Sequence, residues 1–182
     1  MKVPFNYLDY QFKDKKKYFN EWTKLISSSE FTLGPYVKKF EKLFAKYVGL
    51  KHCISTNNGT DALILSLKSI GVKKGDEVIT VCNSFYATAG AIDACGAKII
   101  FVDSDDRYQI NIHKIEKAIT KKTKVILPVH LYGSVVNLNG IKKLIRNKKI
   151  FLVEDCAQAH GASDDSINKS NKKIGSSTDI SC

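Results

Sequence analysis

Apolar and polar residues alternate in two rhythms along most of this chain. From about residue 51 onward, short apolar segments of strand length are separated by longer segments whose apolar residues recur at helical spacing. The strand-like segments begin about every 20–27 residues, which leaves room for a helix that crosses over between parallel strands. The pattern predicts strands at 52–55, 77–81, 97–102, 124–129 and 150–154, and helices at 60–70, 84–94, 111–119 and 137–147.

Three of the predicted strands are continuously apolar, as expected when helices cover both faces of a sheet. We therefore predict an α/β fold with a doubly wound, mostly parallel sheet. The helix at 60–70 is apolar on nearly all sides and is expected to be buried. Residues 163–173 are polar and predict a loop, whereas 175–182 begin what could be another strand. Because the sequence stops inside that element, we expect an incomplete domain.

A separate N-terminal segment precedes this alternation. Apolar residues at helical spacing predict one amphipathic helix at 14–27. Pro35 is suited to the first turn of a second helix, and Gly49 is suited to end it. The predicted division is residues 1–34 as an N-terminal segment with one helix, followed by a large domain at 35–182.

The charge of the chain does not indicate a nucleic-acid partner. The formal net charge is +11, but Arg107 and Arg146 are the only arginines among 29 basic residues. Arginine is the residue that grips phosphates and guanine edges with paired hydrogen bonds, and the lysines are spread along the chain. A lysine-rich surface attracts anions in general, including a diphosphate-linked sugar.

Other classes of protein are disfavoured by the apolar runs and the cysteines. The longest apolar runs are strand-sized, well short of the ~18 residues that a membrane span needs, and no apolar signal region starts the chain. We therefore expect a cytoplasmic protein. The five cysteines and four histidines show no zinc spacing, so no metal site is predicted.

Polar side chains follow the predicted strands, and in parallel sheets ligands bind at that edge. Gly59 and Thr60 open a helix and could bind an anion, although Thr60 could equally be a plain helix cap. Phe85 could cover a flat ligand or belong to the core. His130 could donate to a ligand or close a strand end. One residue of the acidic pair Glu154 and Asp155 should have a cation or a hydrogen-bond donor as partner, and a lone aspartate here could instead bind magnesium or a ribose hydroxyl.

Two common cofactor motifs are absent from the sequence. A nicotinamide enzyme usually shows G-x-G-x-x-G after its first strand, and a P-loop enzyme shows G-x-x-x-x-G-K-[ST]. Neither occurs here. The residues alone thus predict an anion site, an aromatic cover and a buried carboxylate at one sheet edge, without naming the ligand.

An ordered set of motifs resembles the DegT/StrS family of sugar aminotransferases, which have the aspartate-aminotransferase fold (fold type I). The segments are FTLGPYVKKFEKLFAKYVG, NNGTDALILSL, GDEVIT, SFYATAGAI, GAKIIFVD, LPVHLYG and VEDCAQAHGA. The resemblance implies a pyridoxal-phosphate enzyme that moves an amino group, typically from glutamate, to a keto sugar on a nucleoside diphosphate. NNGTDAL and LGPYVKKFE look most like segments of enzymes that aminate carbon 3.

The resemblance also implies roles for individual residues. Gly59 and Thr60 match the donors to the cofactor phosphate, and Phe85 matches the aromatic ring that stacks on the pyridine. Asp155 matches the carboxylate that pairs with the ring nitrogen, a contribution that this cofactor requires of its protein. Gln158 matches the side chain beside the phenolic oxygen.

Other implications of the resemblance are less specific. His130 and His160 are expected to line the site, without an assigned role. The family works as homodimers and has a small C-terminal domain, which this sequence lacks.

The Schiff-base lysine of the family follows a motif that is expected beyond Cys182. Lys169, Lys172 and Lys173 do not match that motif and are interpreted as loop lysines. The chain as given is therefore expected to be inactive alone. Two alternatives stay open: a non-catalytic relative with a binding or regulatory role, and the product of a decayed gene.

Overall fold

The computed structural model of the chain describes residues 6–163 and 173–182. Its centre is a five-stranded sheet in which every pair of neighbouring strands is parallel. This confirms the predicted fold class. The strands are β1 (Glu77–Val81), β2 (Lys98–Val102), β3 (Thr123–Leu127), β4 (Phe151–Glu154) and β5 (Ile180–Ser181).

Helices precede the sheet and connect its strands. Their bounds are α1 (Leu8–Gln11), α2 (Lys15–Ser28), α3 (Pro35–Val48), α4 (Gly59–Ser69), α5 (Tyr86–Ala94), α6 (Ile112–Ala118) and α7 (Leu138–Ile145), with a short 3-10 helix at Leu131–Gly133. The four helices predicted between the strands are all present, with ends shifted by a few residues.

The strand order is β2-β1-β3-β4-β5. β2 is therefore added on one side of β1, whereas β3, β4 and β5 are added on the other side, so the order reverses after β2. Because crossovers between parallel strands are right-handed, this reversal puts α5 on one face and α6 and α7 on the other. α4 packs against α5, and α6 packs against α7. The reversal opens a crevice between β1 and β3 at their carboxyl ends, where ligands of such sheets bind.

The central strands form the core because both of their faces are covered. Val78 and Ile79 of β1 and Ile126 and Leu127 of β3 are fully buried. Burial of an aliphatic side chain of this size contributes about 1.5–3 kcal/mol. The apolar residues that predicted these strands are thus covered by helices on both sides of the sheet.

One predicted strand is wrong. Residues 52–55 form no strand, and Ile54 is 82% exposed. The sheet is extended beyond β4 by β5 instead, within the 175–182 segment that the sequence marked as strand-like. Two adjacent apolar residues, Cys53 and Ile54, are too short a run to specify the register of a strand.

The expected burial of α4 is also wrong in part. Only Leu63 and Leu67 of this helix are buried, whereas Leu65 is 55% exposed. A helix buries the sides on which other elements pack, and composition does not reveal how many sides those are. In the part of the chain that the structure describes, α4 buries one stripe.

Contacts along the chain define two compact units, residues 1–43 and 44–182. The first contains α1 in addition to the single helix that was predicted before Pro35. Its longer helix, α2, is capped by Asp14, whose side chain accepts a hydrogen bond from the Lys17 N–H group, and this helix has no buried residue. Among the described helices, none combines the length and the apolar character that crossing a membrane requires.

Candidate functional site

A cavity of about 380 Å³ lies at the carboxyl edge of the sheet, beside the crevice between β1 and β3. It brings together all five residues that the sequence motifs assigned to a cofactor. The full lining consists of Asn58, Gly59, Thr60, Leu63, Ser84, Phe85, Ala87, Val129, Leu131, Asp155, Ala157, Gln158 and Cys182.

One wall of the cavity is the start of α4. Asn58 caps this helix by accepting a hydrogen bond from the Asp61 N–H group at 2.9 Å. Gly59 and Thr60 are the first two helical residues, and their N–H groups have no acceptor within the helix. Together with the positive end of the helix dipole, these groups are suited to bind an anion. The cap of this helix is therefore Asn58 and not Thr60, which lies inside the helix, and the anion site at Gly59 and Thr60 stays a prediction.

Asp155 also lines the cavity and is 8% exposed. One carboxylate oxygen accepts from the Ala157 N–H group at 3.1 Å, and the other accepts from the Thr88 hydroxyl at 3.2 Å. No salt bridge to Asp155 occurs among residues 6–163 and 173–182. A buried carboxylate with two neutral donors is costly to desolvate, so a cation or a proton-bearing ring nitrogen beside it would be stabilised.

Thr88 and Ser84 were not singled out from the sequence. Because the Thr88 hydroxyl donates to Asp155, the Ser84 hydroxyl at 2.9 Å must donate to Thr88. Ser84 precedes α5, and Thr88 lies in the first turn of that helix, four residues later. That spacing, directly after β1, is the signal that could have identified them as supports for the carboxylate.

Phe85 and Gln158 complete the cavity wall. Phe85 stands before the first turn of α5 and is 62% exposed, so its ring is available to a flat ligand rather than packed in the core. The Gln158 side-chain oxygen accepts from the Tyr132 N–H group at 2.7 Å. This bond fixes the orientation of the amide and leaves the NH₂ group of Gln158 as a donor.

The structure does not bring the two histidines to the cavity wall. His130 is fully buried, and its ring nitrogens bond to Glu154 at 2.8 Å and to the Val136 N–H group at 3.0 Å. His160 is exposed, and its ring packs edge-on against Phe44 at 5.7 Å between centroids. His130 was expected at the site because it follows a strand, but its side chain turns into the protein, where Glu154 provides an acceptor.

No lysine lines the cavity in the part of the chain that the structure describes. The Lys173 ammonium group lies over the ring of Tyr47, a cation–π contact outside the cavity. Lys169 and Lys172 lie outside the described residues.

One cluster of metal-ligand types occurs within the described residues, formed by His130, Glu154 and Cys156. Both nitrogens of His130 and the carboxylate of Glu154 already have hydrogen-bond partners. Burial, followed by the neighbouring charges of Glu154 and Asp155, holds the pKa of the Cys156 thiol well above its ordinary value. Because protein groups already satisfy His130 and Glu154, we interpret the cluster as a hydrogen-bond network.

Comparisons with known proteins agree with this geometry. A model described as the DegT/DnrJ/EryC1/StrS aminotransferase family matches residues 13–182. The dTDP-3-amino-3,4,6-trideoxy-alpha-D-glucose transaminase of Micromonospora megalomicea subsp. nigra is 45% identical over 140 residues, which are 76% of this chain and 37% of that protein. A pleiotropic regulatory protein of Geobacillus stearothermophilus is 42% identical over 164 residues, covering 89% of this chain and 44% of that protein.

Solved structures share the fold as well. The structure of DesV from S. venezuelae matches with a TM-score of 0.88 and 34% identity, over 96% of this chain and 46% of DesV. Matched structures include forms with bound PMP or PLP, the two forms of the pyridoxal phosphate cofactor. The chain spans less than half the length of the relatives named here.

Proposed function

Because the chain belongs to the DegT/DnrJ/EryC1/StrS aminotransferase family, we propose that its protein transfers an amino group, with glutamate as donor, to a keto sugar on a nucleoside diphosphate. Pyridoxal phosphate is the cofactor of this family. Relatives named as nucleotide-sugar transaminases support the substrate class. Several of these names specify a 3-amino product, which favours carbon 3 as the position that is aminated.

The cavity residues fit pyridoxal phosphate in charge and shape. Gly59 and Thr60 would hold the phosphate with N–H and hydroxyl groups at the start of α4. Phe85 would lie against one face of the pyridine ring, and the NH₂ group of Gln158 would donate to the phenolic oxygen. When bound, this cofactor supplies an electron-accepting ring that carries the amino group between donor and acceptor.

The observation that carries the proposal is the buried Asp155 carboxylate, whose donors among residues 6–163 and 173–182 are neutral. A negative charge beside the ring nitrogen raises the pKa of that nitrogen and keeps it protonated. Ser84 and Thr88 would keep the carboxylate aimed into the cavity. The role of Asp155 is therefore to hold a proton at the ring nitrogen, which strengthens the ring as an electron acceptor.

We further propose that the catalytic lysine is supplied from outside these 182 residues. The support is that no lysine lines the cavity among the described residues. The chain alone would then hold the cofactor without a covalent bond and would show little or no amino transfer.

The proposal extends to the organisation of the whole protein. Residues 35–182 would belong to the large cofactor-binding domain, after an N-terminal segment at 1–34. We also propose a cytoplasmic homodimer. Exposed apolar side chains in the N-terminal unit, such as Trp22 and Phe31, support association with further protein surface.

A titration of the purified chain with pyridoxal phosphate tests this proposal. We expect saturable binding in absorbance and fluorescence, and a loss of about tenfold or more in affinity for Asp155→Ala, since an unscreened charge pair is worth more than 1.4 kcal/mol. Asp93→Ala on the exposed end of α5 is the matched control and should bind like the wild type.

The chain's many surface lysines require a second readout. Borohydride reduction followed by peptide mapping should give only scattered labelling, equal in the wild type and in Asp155→Ala. Glutamate and a nucleotide-linked keto sugar should yield no 2-oxoglutarate with the chain alone. Absence of saturable binding, or stoichiometric labelling of one lysine, would contradict the proposal.

A second candidate is a non-catalytic binding or regulatory protein, favoured by the name of the Geobacillus stearothermophilus relative. Both candidates predict cofactor binding, so binding does not separate them. Sequencing the coding region past the codon for Cys182 separates the two candidates. A lysine in the family's motif supports the enzyme, and another residue at that position supports the regulator.

A further inference from the structure

Glu154 at the end of β4 is a fully buried carboxylate that faces away from the cavity. It accepts hydrogen bonds from the His130 ring at 2.8 Å, from the Gly175 N–H group at 3.2 Å and from the Thr178 hydroxyl. The Cys156 thiol lies 4.0 Å from the same carboxylate. A buried charge is tolerated when several donors satisfy it, and here the donors come from separate segments of the chain.

His130 reaches Glu154 as a neutral donor. The Val136 N–H group donates to Nδ1 of His130, so this nitrogen carries no proton. The proton of the neutral ring is therefore on Nε2, the nitrogen that faces Glu154. His130 thus ties the loop around Val136 to the end of β4.

Backbone hydrogen bonds link the same network to the cavity wall. The His130 N–H group donates to the Asp155 carbonyl at 3.0 Å, and the Cys182 N–H group donates to the Glu154 carbonyl at 2.8 Å. The Cys182 carbonyl in turn accepts from the Cys156 N–H group at 2.7 Å. Asp155 and Cys182 both line the cavity, so two of its residues are held by segments that converge on Glu154.

We propose that Glu154 is a positioning residue for the cofactor site. Successive side chains of a strand point to opposite faces, so Glu154 can gather its donors behind the strand while Asp155 faces the ligand. The three donors lock the end of β4 against the His130–Val136 loop and the turn at 175–178, which fixes the Asp155 carboxylate. This inference rests on the proposed cofactor role of Asp155.

Glu154→Gln and Glu77→Gln form a matched pair of variants. Glu77 is also buried and accepts from the Thr120 hydroxyl, but it lies at the amino end of β1, the opposite edge of the sheet. A glutamine at 154 turns an NH₂ group toward donors and leaves part of the network unpaired. We expect Glu154→Gln to weaken pyridoxal phosphate binding about tenfold or more, as loss of supporting hydrogen bonds does at metal sites. Glu77→Gln should stay within about twofold of the wild type.

Thr178→Val and Thr178→Ser test the same network if Glu154→Gln fails to fold. Valine removes the hydroxyl donor at nearly constant volume, whereas serine keeps it. Thr178→Val should weaken cofactor binding and speed hydrogen exchange at the His130 and Ala157 amides, which bond to Asp155. Thr178→Ser should restore both.

Hydrogen exchange without cofactor separates this inference from the proposed function. If the wild type fails to bind pyridoxal phosphate, the proposed function is wrong. Positioning by Glu154 is wrong if exchange at the His130 and Ala157 amides is the same in Thr178→Val as in the wild type. It is also wrong if Glu77→Gln weakens binding as much as Glu154→Gln.

Discussion

Two neighbouring carboxylates at the end of β4 have opposite surroundings. Glu154 is enclosed by donors from the protein, whereas Asp155 has two neutral donors and an open side toward the cavity. The sequence predicted that one acidic residue of this pair would have a donor or a cation as partner. Because successive side chains of a strand point to opposite faces, Glu154 bonds to groups inside the protein and Asp155 faces the cavity.

The thiol of Cys156, next to this pair, gives a prediction for stability against pH. Burial first, and the nearby carboxylates second, raise its pKa above the ordinary value of 9.0. Below pH 9 the thiol is protonated in both the folded and the unfolded chain. Above pH 9 only the unfolded chain ionises, so the free energy of unfolding falls as pH rises, by about 1.4 kcal/mol per pH unit for one such group.

Cys156→Ala should reduce that slope. Urea unfolding at pH 6–8 and at pH 9–10.5 measures it, and the variant should differ from the wild type in slope only in the upper range. Equal slopes in both proteins above pH 9 would show that the folded thiol ionises like the unfolded one.

At the scale of elements, the start of α4 combines a structural cap with a binding surface. Asn58 satisfies the Asp61 N–H group, which leaves the first N–H groups of the helix for an anion. Because a capping side chain is worth about 1 kcal/mol, Asn58→Ala should lower the free energy of unfolding by about that amount. Asn58→Ser, which keeps a capping oxygen, should retain most of the stability.

Chemical denaturation at neutral pH measures both Asn58 variants. The cap assignment is contradicted if alanine and serine destabilise the chain equally. Addition of inorganic phosphate should raise the midpoint of the wild type, because a ligand that binds only the folded chain stabilises it.

Helices and strands could be predicted where the pattern of apolar residues within the segment itself determined them. An apolar run predicted β3, which helices cover on both sheet faces, and four helices were identified from periodicity. The failures depended on partners distant in sequence. Residues 52–55 form no strand, since pairing is a property of the whole sheet, and Leu65 is exposed because α4 packs through only one stripe.

At the scale of the whole molecule, the site exists because the strand order reverses between β1 and β3. That reversal brings the start of α4, the start of α5 and the end of β4 around one cavity. The five cofactor residues could be assigned from the family's motifs, and the structure brings them together. The support from Thr88 was missed because Asp155 is 67 residues away in the chain. Glu154 was noted as part of an acidic pair, but its partner His130, 24 residues away, was not identified.

The ring nitrogen of the cofactor provides the most direct test of the account. Pyridoxal phosphate labelled with ¹⁵N in its ring can be bound to the chain at neutral pH, and its ¹⁵N chemical shift reports whether the nitrogen carries a proton. We predict a protonated nitrogen in the wild type, including at pH values where the free cofactor has lost that proton, and an unprotonated nitrogen in Asp155→Ala. A shift that follows the free cofactor in both proteins would contradict pairing with Asp155.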